Sequence, residues 1–483
     1  MNEMKKLYIV MMLVLTGTIA VAQTSVWNGG RTVWTQGNGT EANPYLIESA
    51  ENLAYLAYAV NKGYNMLGVH FRLTTDIDLN GSEDQQWVPI GLGDRWFNED
   101  GCDRGRQVSV YLFNPQTDFR GHFDGGEHSI SNLYINQENG NYLGLFGYVY
   151  SENEENPAVV ENVFVTNGYI KGNGSCGGIV GQTNGGNRAT VLISRCWSGV
   201  TLECRGYLGD GVGGIVGNAS SGLHIQKCYN LGNVNGFAVG GILGSGTGEI
   251  EECYNKGDIT GNCAGGIYGG HIKGPIIIND CYNLGEITAN TDIGEISSGA
   301  SGPAGGGIAG AKLTPMGSVS ITNCYNVGSV SSTRDIGCIM AYAAGNNNTF
   351  ENNYYLNTCS DENEDQGTPL SEDYMCSQAF VDFLNSLGTG QLWAMDENNT
   401  NGGFPVIVTI DLAVDEIPEV SFHVYPNPAQ GQFTVEGTGK MMVTNLFGQT
   451  VLVRDIDGQT NVSLPRGMYF VKLGNATRKV LVE

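Results

Sequence analysis

The chain has 483 residues, with 24 Lys and Arg against 49 Asp and Glu, and a formal net charge of −25. A charge of that sign repels phosphate backbones and anionic lipid, which argues against nucleic-acid binding and against membrane binding through basic residues. Glycine is abundant at 72 residues without a Gly-X-Y period. This composition favours one elongated repeat body over several ordinary globular domains.

The first stretch of the chain, residues 1–22, predicts a secretory signal peptide. Two lysines at positions 5 and 6 precede an apolar run at residues 7–15, and small residues at 20–22 offer a cleavage site. No later segment approaches the roughly 18 apolar residues of a spanning helix. We therefore expect a mature chain that is secreted or held at the cell surface, with no transmembrane segment.

A helix is expected in residues 23–147, which we predict to be an N-terminal cap followed by the first coils of a repeat. Ser49 is a good N-cap, Gly63 a good helix end, and the apolar stripe between them consists of Leu53, Leu56, Ala57 and Val60. The alternating strand pattern FRLTTDIDL follows, and then WVPIG. These elements would cover the open end of a stack of coils, where unpaired strand edges invite aggregation.

Residues 148–358 repeat two phrases. The first is Gly-Gly-apolar-apolar-Gly, which begins at Gly177, Gly213, Gly240, Gly265 and Gly306. The second follows the pattern Cys-Tyr-Asn-x-Gly and begins at Cys196, Cys228, Cys253, Cys281 and Cys324, with Trp in place of Tyr in its first copy. Units this short, with two apolar β-type runs and Gly/Asn turns between them, suit single coils of a parallel β-helix.

The second phrase also predicts which side chains point inward. Charged residues occur only at odd positions after the Cys, so the period of two places Cys and Asn inside and the aromatic residue outside. The outward residues form an aromatic ladder of Trp197, Tyr229, Tyr254, Tyr282 and Tyr325. The rings could stack on one another and stabilise the sheet, or they could form a platform for glycans.

Cysteines are numerous, at 12 in the chain, and an exported protein would normally pair them. Stacked in-register thiols have parallel Cβ vectors, which is poor disulfide geometry, so we predict that the repeated cysteines are free and buried. Cys102, Cys359 and Cys376 lie outside this column. Cys359 with Cys376 is the pair we would test for a disulfide.

Two acidic stretches match part of a calcium loop. The first comprises Asp361, Asn363, Asp365 and Glu372, and the second comprises Asp76, Asp78, Asn80, Gly81 and Asp84. Gln366 replaces the turn Gly of the first, and Trp87 replaces the bidentate Glu of the second. A solvated loop explains the first pattern and a strand with outward Asp the second, so we assign no metal ligand and no cofactor.

No catalytic signature such as HExxH, GxSxG or GxxxxGK[ST] occurs in the chain. His122 and His128 flank a turn, which is weak support for a metal or catalytic pair. An enzyme site would most simply lie in the insertion GDRWFNEDGCDRGRQ, which contains Arg95, Trp96, Glu99, Asp100, Asp103, Arg104 and Arg106. Polysaccharide lyases on β-helices use an Arg or Lys base beside bound cations, but a salt-bridged loop explains the same composition.

The end of the chain divides into three parts. Residues 359–410 predict a C-terminal cap, with a helical stretch from Ser371 to Leu387 and a short strand at residues 404–406. Residues 411–420 predict an acidic linker. Residues 421–483 contain short alternating strands separated by turn residues, which predicts a small β-sandwich.

The body resembles the GLUG-repeat proteins of Bacteroidetes surfaces. The resemblance rests on GTEANPYLI, LTTDIDL, WVPIG, FRGHFDGG, ISNLYI, GLFG and the GGIVG and CYN repeats. It implies an all-β fold, a right-handed parallel β-helix of the pectin-lyase-like kind with short helical caps. Such proteins are mostly of unassigned activity and often described as adhesin-like.

The last sixty or so residues resemble the type A C-terminal sorting domain of the type IX secretion system. The matching residues are Tyr425, Pro426, Asn427 and Pro428, then Gly431, Gly448, Gly467 and Tyr469, and the basic tail. The resemblance implies that the type IX machinery is a partner. It also implies passage across the outer membrane and attachment to surface lipopolysaccharide.

The sequence therefore favours a non-enzymatic, adhesin-like surface protein that binds glycans or host proteins. The alternative is a polysaccharide lyase or hydrolase on the same scaffold.

Overall fold

The protein is described here as a computed structural model. The described residues are 24–93, 117–186, 188–205, 210–270, 274–290, 303–312, 317–345, 347–360, 366–388, 390–408, 423–426, 429–445, 450–473 and 476–482. The chain divides into two compact units, Met1–Ile410 and Asp411–Glu483. The predicted signal peptide and the predicted linker lie outside the described residues.

In the part of the chain that the structure describes, the larger unit is a parallel β-helix whose three sheets have 20, ten and seven strands, which confirms the predicted fold class. Sheet 1 has 20 strands: Ser25–Val26, Ile77–Asp78, Ser129–Ser131, Leu133–Asn136, Phe164–Gly172, Cys176–Gly177, Trp197–Cys204, Val212–Gly213, Tyr229–Asn230, Val234–Gly240, Tyr254–Asn255, Ile259–Gly265, Tyr282–Asn283, Ile287–Ala289, Ala304–Gly306, Tyr325–Asn326, Val330–Ser332, Asp335–Gly337, Tyr354–Leu356 and Thr368–Leu370. Sheet 2 has ten: Tyr45–Ile47, His70–Leu73, His122–Asp124, Val159–Glu161, Val191–Ser194, Leu223–Gln226, Gly248–Glu251, Ile276–Asn279, Val319–Thr322 and Asn348–Glu351. Sheet 3 has seven: Phe146–Ser151, Val180–Gly185, Val216–Ala219, Leu243–Gly246, Tyr268–Gly270, Ala309–Lys312 and Met340–Ala343.

Each coil turns sharply where sheet 2 passes into sheet 1. The residue before each Cys of the second phrase has a positive φ, for example 55° at Lys227, 52° at Glu252 and 51° at Asp280. A left-handed backbone is uncommon for residues with a side chain. The repetition of this conformation at one place in every coil identifies it as the corner of the repeat, which the sequence pattern alone did not show.

The paired glycines of the first phrase allow neighbouring coils to approach closely. A Cβ atom at Gly241 would lie 2.1 Å from the carbonyl oxygen of Gly266 and 2.4 Å from Cγ of Asn255. No side chain fits in that space, because real Cβ contacts are far longer. Glycine is therefore required at this position, because any side chain would collide with the buried Asn of the second phrase.

The two predicted interior columns are present. Cys196, Cys228, Cys253, Cys281 and Cys324 are all free and buried. Burial raises the pKa of the Cys228 thiol well above its ordinary value, so this thiol is protonated and unreactive at neutral pH.

The asparagine column is a continuous hydrogen-bonded ladder. Nδ2 of Asn230 donates to Oδ1 of Asn255 at 2.8 Å, and Asn255 donates to Asn283 at 2.7 Å and Asn283 to Asn326 at 2.8 Å. Each amide also bonds the backbone of the Gly two residues on, as Asn255 does to Gly257 at 2.8 Å. A buried polar column is stable when every member is satisfied in this way.

The helix expected between Ser49 and Gly63 is present. The helix Ala50–Asn61 begins after Ser49, whose side chain accepts a hydrogen bond from the backbone of Asn52 at 3.2 Å. All four residues of the predicted apolar stripe are buried in the main core. The helix therefore contributes to the core at the first coils.

The C-terminal cap consists of two helices and a two-stranded antiparallel ribbon. The helices are Glu372–Met375 and Gln378–Leu387, and the ribbon pairs Trp393–Ala394 with Val406–Ile407. The single helical stretch expected from Ser371 is interrupted because Ser377 begins a new helix, where its hydroxyl accepts a bond from the amide of Phe380 at 3.4 Å.

Cys359 and Cys376, the pair that we would test for a disulfide, are not bonded to each other. Cys359 pairs with Cys338, at a Cα separation of 6.2 Å, and Cys376 is free and half-buried. A second disulfide joins Cys176 to Cys204, at a Cα separation of 6.5 Å. The partner of Cys359 lies on a neighbouring coil, 21 residues earlier in the chain, whereas Cys376 belongs to the cap. Cys102 lies outside the described residues.

The smaller unit is all-β, with the strands His423–Tyr425, Gln432–Asn445, Thr450–Ser463, Gly467–Leu473 and Ala476–Val482. We predicted a small sandwich, and the described strands belong to one hydrogen-bonded sheet of five strands. The strand Gln432–Asn445 is long enough to pair with His423–Tyr425 near its start and with Gly467–Leu473 near its end. All the strands that follow Tyr425 contribute to one apolar core.

Candidate functional site

The aromatic ladder points outward from the coils, as the period of two predicted. The rings of Tyr229 and Tyr254 stack with centroids 4.6 Å apart, Tyr254 and Tyr282 at 4.8 Å, and Tyr282 and Tyr325 at 5.0 Å. Trp197 extends the stack, 5.6 Å from Tyr229. The in-register pairing of successive coils produces this stacking directly.

The ladder is nevertheless not an exposed surface, and that part of the expectation needs correction. Tyr282 is 1% exposed and Tyr325 is fully buried. The reason is the C-terminal cap, which packs over the rings: Trp393 lies 5.5 Å from Tyr325, and Phe380 lies 6.1 Å from it. While the cap is in place, the tyrosine faces are not available to a ligand.

A polar pocket lies on the outer face of sheet 1, between the strands Leu133–Asn136 and Val234–Gly240. It has a volume of about 380 Å³ and is lined by Glu138, Asn139, Lys171, Gly172, Asn173, Glu203, Cys204, Arg205 and Asn235. This volume lies within the ordinary range of small-molecule sites. The strands bring the residues together in register, since Lys171 lies beside Glu203 and Glu203 beside Asn235 on the next coil.

Two tyrosines that stack on one another, Tyr134 and Tyr169, lie beside the pocket, and we call this pair the tyrosine platform. The rings of Tyr134 and Tyr169 stack with their centroids 5.8 Å apart. The hydroxyl of Tyr169 donates to Oε2 of Glu203 at 2.7 Å, which joins the platform to the pocket wall. Burial, and then this bond to Glu203, raises the pKa of Tyr169 to about 12. The hydroxyl therefore stays protonated and continues to donate at neutral pH.

The rest of the pocket contains basic and acidic side chains, and one buried hydrogen-bond acceptor without a partner. Nζ of Lys171 lies 3.7 Å from the carboxylate of Glu138, which is 80% exposed. Arg205 is exposed at the end of its strand. Oδ1 of Asn173 is buried and has no hydrogen-bond partner among the described residues.

Sequence reasoning missed this pocket, although a signal was present. Tyr169 and Lys171 alternate with buried residues along one strand, and Glu203 does the same on the next. Period-two alternation identifies such residues as outward. It does not show that a platform and a pocket form beside each other.

The other predicted site residues have structural partners or lie outside the described residues. Asp78 accepts from the backbone of Asn80 at 2.7 Å and from the amide of Asn132 at 2.8 Å, which fits a strand with outward Asp. Asp361, Asn363 and Asp365, and the insertion with its Arg and acidic residues, lie outside the described residues.

His122 and His128, which the sequence places on either side of a turn, contact different residues. Nε2 of His122 lies 2.6 Å from Oε1 of Glu161, whereas His128 lies 3.5 Å from Asp76. This bond to His122 is the main cause that lowers the pKa of Glu161. The two histidines thus contact different acidic residues, Glu161 and Asp76, and the structure does not bring them to one site.

Of the sorting motif, Tyr425 is 40% exposed, and Tyr469 is buried with its hydroxyl donating to the carbonyl of Pro465 at 3.0 Å. Gly431 has a φ of 75°, which glycine adopts without strain. Asn427, Pro428 and Gly448 lie outside the described residues.

Residues 423–483 match the family model of the secretion system C-terminal sorting domain. The chain therefore carries a type IX sorting domain, interacts with the type IX secretion machinery, and is secreted or attached to the cell surface. In the part of the chain that the structure describes, no helix is long and apolar enough to cross a membrane.

The chain is also similar, over part of its length, to parts of two much longer proteins. One, from Evansella cellulosilytica and provisionally named a Gly-rich membrane protein, is 33% identical over 170 residues, which are 35% of this chain and 16% of that protein. The other is Halomucin of Haloquadratum walsbyi, 30% identical over 149 residues, which are 31% of this chain and 1% of Halomucin. The chain thus matches less than a fifth of either protein's length.

Among solved structures, the chain is similar to a protein of Bacteroides ovatus that is provisionally named an immunoglobulin A1 protease. The two are 22% identical, the TM-score is 0.45, and the alignment covers 78% of this chain and 95% of the other.

Proposed function

We propose that the mature protein is an adhesin-like surface protein that binds glycans in the pocket beside Tyr134 and Tyr169. The observation that carries the proposal is the stacked tyrosine pair joined to a polar pocket of about 380 Å³. Aromatic faces with a few convergent polar groups are the common composition of small-ligand sites. The sorting domain supports an extracellular location, where glycans are accessible ligands.

The chemistry of the pocket suits a sugar more than an apolar ligand. The apolar face of a sugar ring can lie against the tyrosine platform, while its hydroxyls reach Lys171 and Glu203. Few apolar side chains line the pocket, so an apolar ligand would leave its polar side chains without hydrogen-bond partners.

A glycan array on the mature full-length protein tests the proposal. We expect a defined subset of glycans to bind, and the variants Tyr169→Ala and Lys171→Ala to lose that binding. Tyr342→Ala is the matched control, since Tyr342 is 41% exposed on sheet 3. Equal binding by all four proteins, or no binding by the unmodified protein, would contradict the assignment.

A polysaccharide hydrolase is the second candidate, because the same pocket contains two carboxylates, Glu138 and Glu203. Glycosidases use such a pair as acid and as base or nucleophile. A reducing-sugar assay on the glycans that bind separates the two functions. Sugar release that disappears in Glu203→Gln would establish the hydrolase, and binding without release would establish the adhesin.

A further inference from the structure

A second group of polar side chains lies on the outer face of sheet 2, away from the pocket. His224 lies on the strand Leu223–Gln226, and Glu249 and Glu251 lie on the strand Gly248–Glu251 of the next coil. One ligand atom from each of the three side chains lies within 4.8 Å of the other two. Nε2 of His224 is already 3.2 Å from Oε2 of Glu251.

The strand register explains why these atoms converge. His224 pairs with Glu249 across the two strands, and Glu251 stands two residues further along the same outward row. On the following coil Asn279 pairs with Glu251, and its amide donates to Oε1 at 3.4 Å. That contact leaves Oε2 directed to the histidine.

The carboxylates of Glu249 and Glu251 have fewer basic partners than other acidic side chains on sheet 2. Glu161 is contacted by both His122 and Arg195, and Asp124 by Arg72 at 3.6 Å. For Glu249 and Glu251 together, the described residues provide one such partner, His224.

We propose that His224, Glu249 and Glu251 form a binding site for a divalent transition-metal ion of the zinc type. One imidazole nitrogen and two carboxylate oxygens are a zinc donor set, and three protein ligands leave a fourth position for water or an external ligand. Calcium is excluded as the preferred ion because it takes oxygen ligands. Zinc distances of about 2.0–2.2 Å place ligand atoms roughly 3.4 Å apart, so modest rotations of the half-buried side chains complete the site.

The inference does not depend on the glycan pocket. Adjacent coils carry Leu192 and Ser194, or Ile277 and Asn279, at the corresponding outward positions. Neither pair contains a histidine or a carboxylate, so the neighbouring coils do not repeat this set of metal ligands.

Zinc titration by calorimetry tests the proposal on the mature full-length protein. A Cys376→Ser background removes the half-buried free thiol as a competing ligand. We expect one zinc ion at this site, with affinity reduced by more than about tenfold in His224→Gln, Glu249→Gln and Glu251→Gln. Glu249→Gln and Glu251→Gln relieve the repulsion between the carboxylates, so loss of zinc binding in these two variants would not reflect misfolding.

Two controls make the result decisive. His122→Gln removes a histidine that also contacts a glutamate on sheet 2, and it should bind zinc like the parent. Cobalt in place of zinc should give ligand-field bands without a thiolate charge-transfer band. Unchanged zinc affinity in His224→Gln, or a thiolate band that persists with cobalt, would overturn the proposal.

Discussion

Asn255 shows how the interior of this β-helix is determined at the level of a single residue. Its amide accepts from Asn230 on the preceding coil and donates to Asn283 on the following one. It also satisfies the backbone of Gly257, and its own side chain is fully buried. One side chain thus connects three coils, and no apolar residue could replace its hydrogen bonds.

We predict that Asn255→Ala lowers the free energy of unfolding by on the order of 3 kcal/mol, because it leaves buried amide groups on both neighbouring coils unsatisfied. Chemical denaturation measures the change. Asn233→Ala is the control, since this residue is exposed on a neighbouring coil and should cost less than about 0.5 kcal/mol. Similar costs for the two variants would show that the ladder is not a stabilising network.

At the level of elements, the C-terminal cap has the largest effect on which surfaces are free. Its helix and ribbon cover the stacked tyrosines, and Nζ of Lys256 donates to the carbonyl of Thr400 at 3.2 Å. The outward lysine predicted from the repeat therefore contacts the cap as well as solvent. The ladder stabilises the coils and also forms the surface on which the cap packs.

We predict that Trp393→Ala destabilises the cap by about 3–5 kcal/mol, the usual cost of deleting a buried indole. Trp393 is 3% exposed and contacts Tyr282 and Tyr325. Limited proteolysis should then cut residues 371–408 before the coils are attacked. Asp382→Asn, on the exposed face of the helix Gln378–Leu387, should be cut like the unmodified protein. An uncut Trp393→Ala cap would mean that the ladder contact contributes little.

At the level of the whole molecule, the chain combines a repeat body with a separate sorting unit. Residues 423–483 form their own sheet and apolar core, distinct from the core of the β-helix. The body therefore contains the candidate binding sites, and the sorting unit determines where the protein goes.

We predict that deletion of residues 423–483 leaves a folded body that accumulates in the periplasm, because those residues match the type IX sorting domain. Cell fractionation and surface proteolysis measure the location. Protease resistance of the purified truncated body, compared with the full chain, controls for folding. Normal surface display of the truncated protein would contradict the prediction.

Local patterns in the sequence determined the coil, the direction of its side chains, the free cysteine column and the N-cap at Ser49. These follow from contacts between neighbouring residues or between identical positions of adjacent coils. The sorting unit was recognisable for a similar reason, since its motifs lie within about sixty residues.

Only the tertiary structure decided which outward surfaces are free and which cysteines pair. A period of two reports the face of the sheet on which a side chain lies, but not what packs on that face. The contact from Lys256 to Thr400 spans 144 residues, and the disulfide of Cys359 selects a neighbouring coil over the cap. The tyrosine platform and the His224 cluster likewise depend on the register of strands from separate coils, which aligned phrases suggest and only the folded chain fixes.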